Sequence, residues 1–197
     1  VSMGPQTKPG QVGTVRRLFH LLKGLGPWDG LIGIVVSASL LMALVFLGHG
    51  FYIQAKAALA QVLLDRAWAS TVARSEINKP WPWFDSWPVA RISVPRLGKH
   101  AIVLAGASGQ ALAFGPTHLN GTAAPGQRGT TVFAAHRDTH FAFMRDLVAG
   151  DVIEVISQDG ARYAYRVDNM RIVRWDESGV DPGVPQRLIL VTCWPLD

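Results

Sequence analysis

From Gly30 to Ala55 no charged residue occurs, and Leu31 to Ile53 forms a run of 23 almost uniformly apolar positions. As a helix rising ~1.5 Å per residue, such a run is about 35 Å long, enough to cross a ~30 Å hydrocarbon core with some tilt. The pattern therefore predicts a transmembrane anchor over 30–53. Residues 54 to about 75 are alanine-rich, with Leu59, Val62, Leu63 and Ala67 at helical spacing, which predicts a membrane-proximal helix or stalk. The following segment to 87 holds Trp81, Trp83 and Trp87 among Pro80 and Pro82, with Pro88 next. Prolines at this density exclude a regular helix. Its aromatic residues suit either a strap packed on the next domain or a contact with the bilayer surface.

Beyond residue 88 the periodicity changes. Val89 to Val94 alternates, Ala101 to Leu104 is a short apolar run, and Thr130 to Ala135 reads as a buried strand. Asp151 to Ser157 and Arg162 to Asn169 alternate around Gln158-Asp159-Gly160-Ala161, a hairpin signal. Arg187 to Cys193 predicts another strand, whereas Thr139 to Leu147 looks helical, with Asp138 or Thr139 as its cap and Gly150 near its end. Many short strands separated by turn residues predict a mainly β domain over 88–197, a small barrel or sandwich.

Charge sharpens the topology. Of the formal net charge of +5, residues 1–87 carry +4 (eight Lys/Arg against four acids) and 88–197 carry +1 (eleven against ten). The β region has no basic patch or base-stacking motif, so no nucleic-acid partner is expected. Arg16, Arg17 and Lys23 precede the apolar run, and only Lys56 follows it before Asp65. The positive-inside rule then makes 1–29 a cytoplasmic tail of a single-pass protein in the cytoplasmic (inner) membrane, with everything after 53 extracytoplasmic. Ala55-Lys56-Ala57 resembles a signal-peptidase site, but the apolar run far exceeds the ~7–15 residues of a signal peptide.

Cys193 is the single cysteine. It excludes an internal disulfide and any CxxC metal or redox site. An unpaired thiol facing an oxidising compartment is either shielded as a small hydrophobe or used. Used as a nucleophile, it needs a base, since a free thiol is only a few per cent thiolate at neutral pH. Among six histidines, His20 and His49 lie before or at the end of the anchor. His100, His118 and His140 fall in turns or on a helix surface. His136 ends the buried strand, where a barrel can present chemistry at its rim. His136 and His140 also form H-R-D-T-H, reminiscent of the zinc motif H-E-x-x-H. Arg137 occupies the general-base position there and would repel a dication, so no metal and no cofactor is expected.

Thr131-Val132-Phe133-Ala134-Ala135-His136-Arg137-Asp138, followed 57 residues after His136 by Leu190-Val191-Thr192-Cys193, resembles the sortase family. The anchor, the Val89–Leu97 opening, Ala113-Phe114-Gly115-Pro116-Thr117-His118 and the Trp-Pro linker look like the sortases of Gram-negative proteobacteria. The resemblance implies a sortase-like β-barrel with thiol and imidazole at one end. It further implies a cysteine transpeptidase that cleaves an LPxTG-like C-terminal sorting signal of a secreted protein and transfers the product to an amine. Cys193 would be the nucleophile and His136 the general acid and base, with Thr192 helping to bind substrate or oxyanion. Sortases also carry an arginine on the strand after the Cys motif, and no position here matches it. Asp197 lies four residues past Cys193, so the closing strand is expected to be absent from this sequence. Neither Arg137 nor Arg187 fits that arginine's place; both are expected to be salt-bridged or solvated.

A cysteine L,D-transpeptidase or amidase shares the chemistry but matches the His-to-Cys spacing and Thr-Cys context poorly. The alternative from another class is a catalytically inactive, membrane-tethered β-barrel that binds a partner through its groove.

Overall fold

The computed structural model describes residues 26–177 and 186–196; the cytoplasmic tail expected over 1–29 therefore lies almost wholly outside the described residues. By contacts the chain divides into two units, one up to Gln54 and one from Ala55 onward. Helix α1, Pro27–Arg74, contributes to both. The anchor and stalk expected as separate helices are thus one continuous 48-residue helix, since nothing between Ile53 and Arg74 breaks it: no proline occurs, and alanine, the strongest helix former, recurs.

In the first unit, the helix leaves Ile34, Leu41 and Phe46 each about two-thirds exposed, at 68, 65 and 68%. By length and composition this helix could cross a membrane. In the second unit, α1 buries Ala60, Leu64, Ala67, Trp68 and Thr71, an i, i+4, i+7, i+8, i+11 stripe. The expected stripe of Leu59, Val62, Leu63 and Ala67 is therefore rotated. Leu59 and Val62 remain 58 and 46% exposed, because the packed face follows Trp68, whose ring offers the largest apolar area on this part of the helix.

Seven strands form one sheet in the order β6-β5-β1-β2-β3-β4-β7. They are β1 Pro88–Val94, β2 Lys99–Ala105, β3 Thr117–His118, β4 Thr130–Ala134, β5 Val152–Ser157, β6 Arg162–Arg166 and β7 Arg187–Val191. The β2/β3 and β4/β7 pairs are parallel and the others antiparallel. The expected hairpin around Gln158-Asp159-Gly160-Ala161 is the β5/β6 pair. The expected β-barrel preceded by an apolar helix is what the structure shows.

Two cores flank the same strand. One gathers Ala90, Ile92 and Val94 of β1 with Val103, Phe133, Ile153 and Val155. The other joins Ile102 and Leu104 of β2 to Leu64 and Trp68 of α1, Phe84 and Ala111. Successive side chains of a strand point to opposite faces, so Val103 enters the first core while Ile102 and Leu104 enter the second. This explains the unbroken apolar run there, the signature of a strand covered on both sides.

The linker splits its aromatic residues between two surroundings. Trp81 meets Phe84 and Phe114 at ring separations of 4.5 and 5.2 Å, whereas Trp83 is 78% exposed. Phe114 ends a short helix, α2 (Gly109–Phe114), that the periodicity does not predict. A local signal for it exists: Ser108 caps it by accepting from the Ala111 N–H at 3.0 Å.

The helix expected at 139–147 is instead a turn followed by a 3-10 turn, Ala142–Asp146. Phe141 and Phe143 are both buried and pack edge to face at 5.6 Å. Residues two apart do not face each other on an α-helix, so the contact between the two rings is incompatible with α geometry. Nearby, Arg96 grips the Asp151 carboxylate through Nε and Nη2 and also donates to the Asp146 carbonyl at 2.5 Å. Asp151 further accepts from the Val148 N–H at 2.9 Å. The Arg96 hydrogen bond, seconded by Val148, holds the Asp151 carboxyl down to about 2.

β6 and β7 are the two ends of the sheet. The 119–129 loop reaches both: the Gly126 N–H donates to the Tyr165 hydroxyl of β6 at 3.2 Å, and its carbonyl accepts from the Gln186 side chain just before β7. Gly126 has φ +82°, and a Cβ there would lie 2.0 Å from the Tyr163 ring, so both backbone and space require glycine.

Candidate functional site

The site is a consequence of parallel pairing. β4 and β7 run side by side in register, Thr130 opposite Arg187 through Ala134 opposite Val191. Parallel neighbours finish at the same end of a sheet, with backbones ~4.8 Å apart. The Ala135 N–H donates to the Val191 carbonyl at 3.1 Å, and the Thr192 hydroxyl donates to the Ala135 carbonyl at 2.8 Å. Ala135 and Thr192 thus continue the pairing beyond the strands, and the next residues are His136 and Cys193. The expected strand through Cys193 stops at Val191, because from Thr192 a side chain replaces the backbone partner. Both His136 and Cys193 are exposed, and the thiol is free.

The structure therefore brings Cys193, His136 and Thr192 to one rim. Thr192 commits its single hydroxyl proton to Ala135, leaving only its oxygen lone pairs for anything else. Arg137, expected to be salt-bridged or solvated, instead donates from Nη1 to the Pro195 carbonyl at 2.6 Å. No motif signals this contact, since the two residues are 58 positions apart. Arg187 starts β7, about 20 Å from Cys193 at ~3.3 Å per residue, and lies at the opposite end.

The other histidines are distributed differently from expectation. His100 lies on β2 and His118 on β3, where short strands replace the expected turns. The His118 ring bonds the Ala123 carbonyl and the Thr122 hydroxyl, each at 3.0 Å, and meets Phe133 edge on. His140 is half-buried in the turn after His136; burial, and secondarily the charge of His136, push its imidazole below the ordinary range. Among the described residues no group of three or more His, Cys, Asp or Glu is placed to hold a metal ion.

Known proteins share this fold. A family model described as the sortase domain matches residues 92–197. Sortase D of Bacillus subtilis (strain 168) is 26% identical over 106 residues, 53% of this chain and 53% of that protein. The chain thus spans about half the length of the curated relative it matches. Sortase C-1 of Actinomyces oris is 32% identical with a TM-score of 0.50, over 55% of this chain and 66% of that one. The sortase D5 transpeptidase of Clostridium perfringens, 18% identical, superposes with a TM-score of 0.58 over 71% of this chain and 91% of its own. The finer likeness to proteobacterial sortases stays an expectation. The sortase-domain match covers more than half the sequence and falls on the seven-stranded β sheet described above, so the chain belongs to the sortase family.

Proposed function

We propose that the protein is a membrane-anchored cysteine transpeptidase acting outside the cytoplasmic membrane. The observation that carries this reading is the parallel β4/β7 register, which delivers His136 and Cys193 to one rim. The Cys193 thiolate attacks the carbonyl carbon of the scissile residue in an LPxTG-like sorting signal, forming a C–S bond. As the tetrahedral intermediate collapses, the C–N bond breaks and His136 protonates the departing amine. An incoming amine then attacks the thioester. His136 accepts its proton, the new C–N bond forms and the C–S bond breaks, restoring the thiolate beside a protonated His136. A thioester retains acyl-transfer energy, so an amine can compete with water. Developing negative charge on the carbonyl oxygen requires nearby donors, and the family's arginine has no counterpart between Cys193 and Asp197. Thr192, its proton bound to Ala135, supports the rim and contacts substrate through its oxygen or methyl group.

The apolar half of α1 supports a single-pass anchor over 30–53 with the N-terminus inside. Labelling Cys193 in intact spheroplasts with a membrane-impermeant maleimide checks that topology: rapid labelling fits it, and labelling only after lysis overturns it. Mass spectrometry of the protein mixed with a sorting-signal peptide tests the chemistry. A covalent acyl adduct on Cys193, absent in C193A, is the expected result. Peptide bound intact, without adduct or cleavage, would instead make the chain a binding barrel.

A further inference from the structure

The β4/β7 backbone ladder ends at the Ala135 N–H to Val191 carbonyl bond, one residue short of His136 and two short of Cys193. Past that point two side-chain hydrogen bonds cross between the extensions. Thr192, immediately before Cys193, reaches the carbonyl of Ala135, immediately before His136. Arg137, immediately after His136, reaches the carbonyl of Pro195, two residues after Cys193. The His–Cys pair is thus bracketed on the barrel side by a neutral bond of 2.8 Å and on the loop side by a charge-assisted bond of 2.6 Å.

We infer that Arg137 is a positioning residue, whose guanidinium holds the segment just after Cys193 against the turn that follows His136. The inference rests on the transpeptidase reading above. Both reactive residues are exposed and stand on backbone outside the sheet ladder, so little else in the strand pairing fixes their separation. A planar, permanently charged donor suits such a clasp, because guanidinium loses less freedom per hydrogen bond than an ammonium and keeps its charge at every physiological pH. Displacement of reacting groups by about 1 Å can cost ~100-fold in rate. A bond spanning the pair therefore acts on chemistry without touching substrate.

The test follows Cys193 itself as well as turnover. In the full chain, alkylation of Cys193 by iodoacetamide is measured against pH for wild type, R137A, R137K and H136A, alongside kcat and KM on a sorting-signal peptide. We expect R137A to lower kcat about tenfold with KM nearly unchanged, and to move the alkylation profile toward that of H136A. R137K, keeping the charge and one donor, should recover part of both. An R137A profile that superimposes on wild type while H136A departs from it would overturn the positioning role and leave the transpeptidase reading standing. The same holds if R137A only lowers the melting temperature. Profiles of R137A and H136A that both superimpose on wild type would overturn the His–Cys pairing, and the inference with it.

Discussion

The two ends of the β4/β7 pair are built differently. At its start, the Arg187 N–H bonds the Gly129 carbonyl at 3.0 Å, and Gln186 and Tyr165 hold Gly126, whose missing side chain leaves room for Tyr163. At its finish, backbone pairing gives way to the Thr192 and Arg137 side chains, and the reactive groups stand in solvent. The first end is held by a main-chain bond and by two side chains that grip an obligatory glycine; the second suspends function on side-chain contacts alone. Substitutions at the two ends should therefore fail in different ways: the start by losing the fold, the finish by losing rate.

The sharpest break is at Cys193. C193A should lower sorting-signal cleavage by about 10³-fold or more while leaving the melting temperature close to wild type, because an exposed thiol contributes little packing; peptide assays with thermal denaturation check both. At the opposite end, G126A combines left-handed strain with a clash against Tyr163 and should destabilise the domain by about 2–4 kcal/mol in urea unfolding. The adduct formed by the remaining folded fraction should be normal. T192V replaces the hydroxyl that meets Ala135 and should cost about 1 kcal/mol of stability. It should also lower kcat several-fold, read from the same two measurements.

Acid provides an internal control. Asp151 titrates at about 2 in the folded protein, below the ~3.9 of an unfolded aspartate. Its contribution is thus fully present above the unfolded value and is lost as pH falls from about 4 toward 2. D151N should flatten the acid limb of the stability curve in that window. The smallest effect expected is on His140, whose imidazole lies below its ordinary range partly through the charge of His136. H136A should move the His140 titration upward, visible by NMR, without changing the Asp151 window.

The elements legible from sequence are those whose pattern is local. The apolar run of α1, the β5/β6 hairpin and the buried β4 each announce themselves within a few residues. His136 is legible because it follows the buried β4, and Cys193 because it follows the apolar run Leu188–Val191. The rest is decided by packing at a distance. The buried stripe on α1 departs from the expected one because Trp68 outweighs Leu59 and Val62. Residues 142–146 have helical propensity but form a tighter turn because Phe141 and Phe143 bury against each other, a demand of the core that local propensity does not record. Arg137 carries no sequence sign of its contact because its acceptor, the Pro195 carbonyl, is a main-chain atom.

β2, with Val103 in one core and Ile102 and Leu104 in the other, has a consequence for cooperativity. A strand shared as the wall between two cores cannot release one without loosening the other. The Ala60–Thr71 part of α1 should then exchange its amide hydrogens with nearly the same opening free energy as β2, as one unfolding unit. Docking of that helix segment would be coupled to the integrity of the barrel and would serve as a reporter of it.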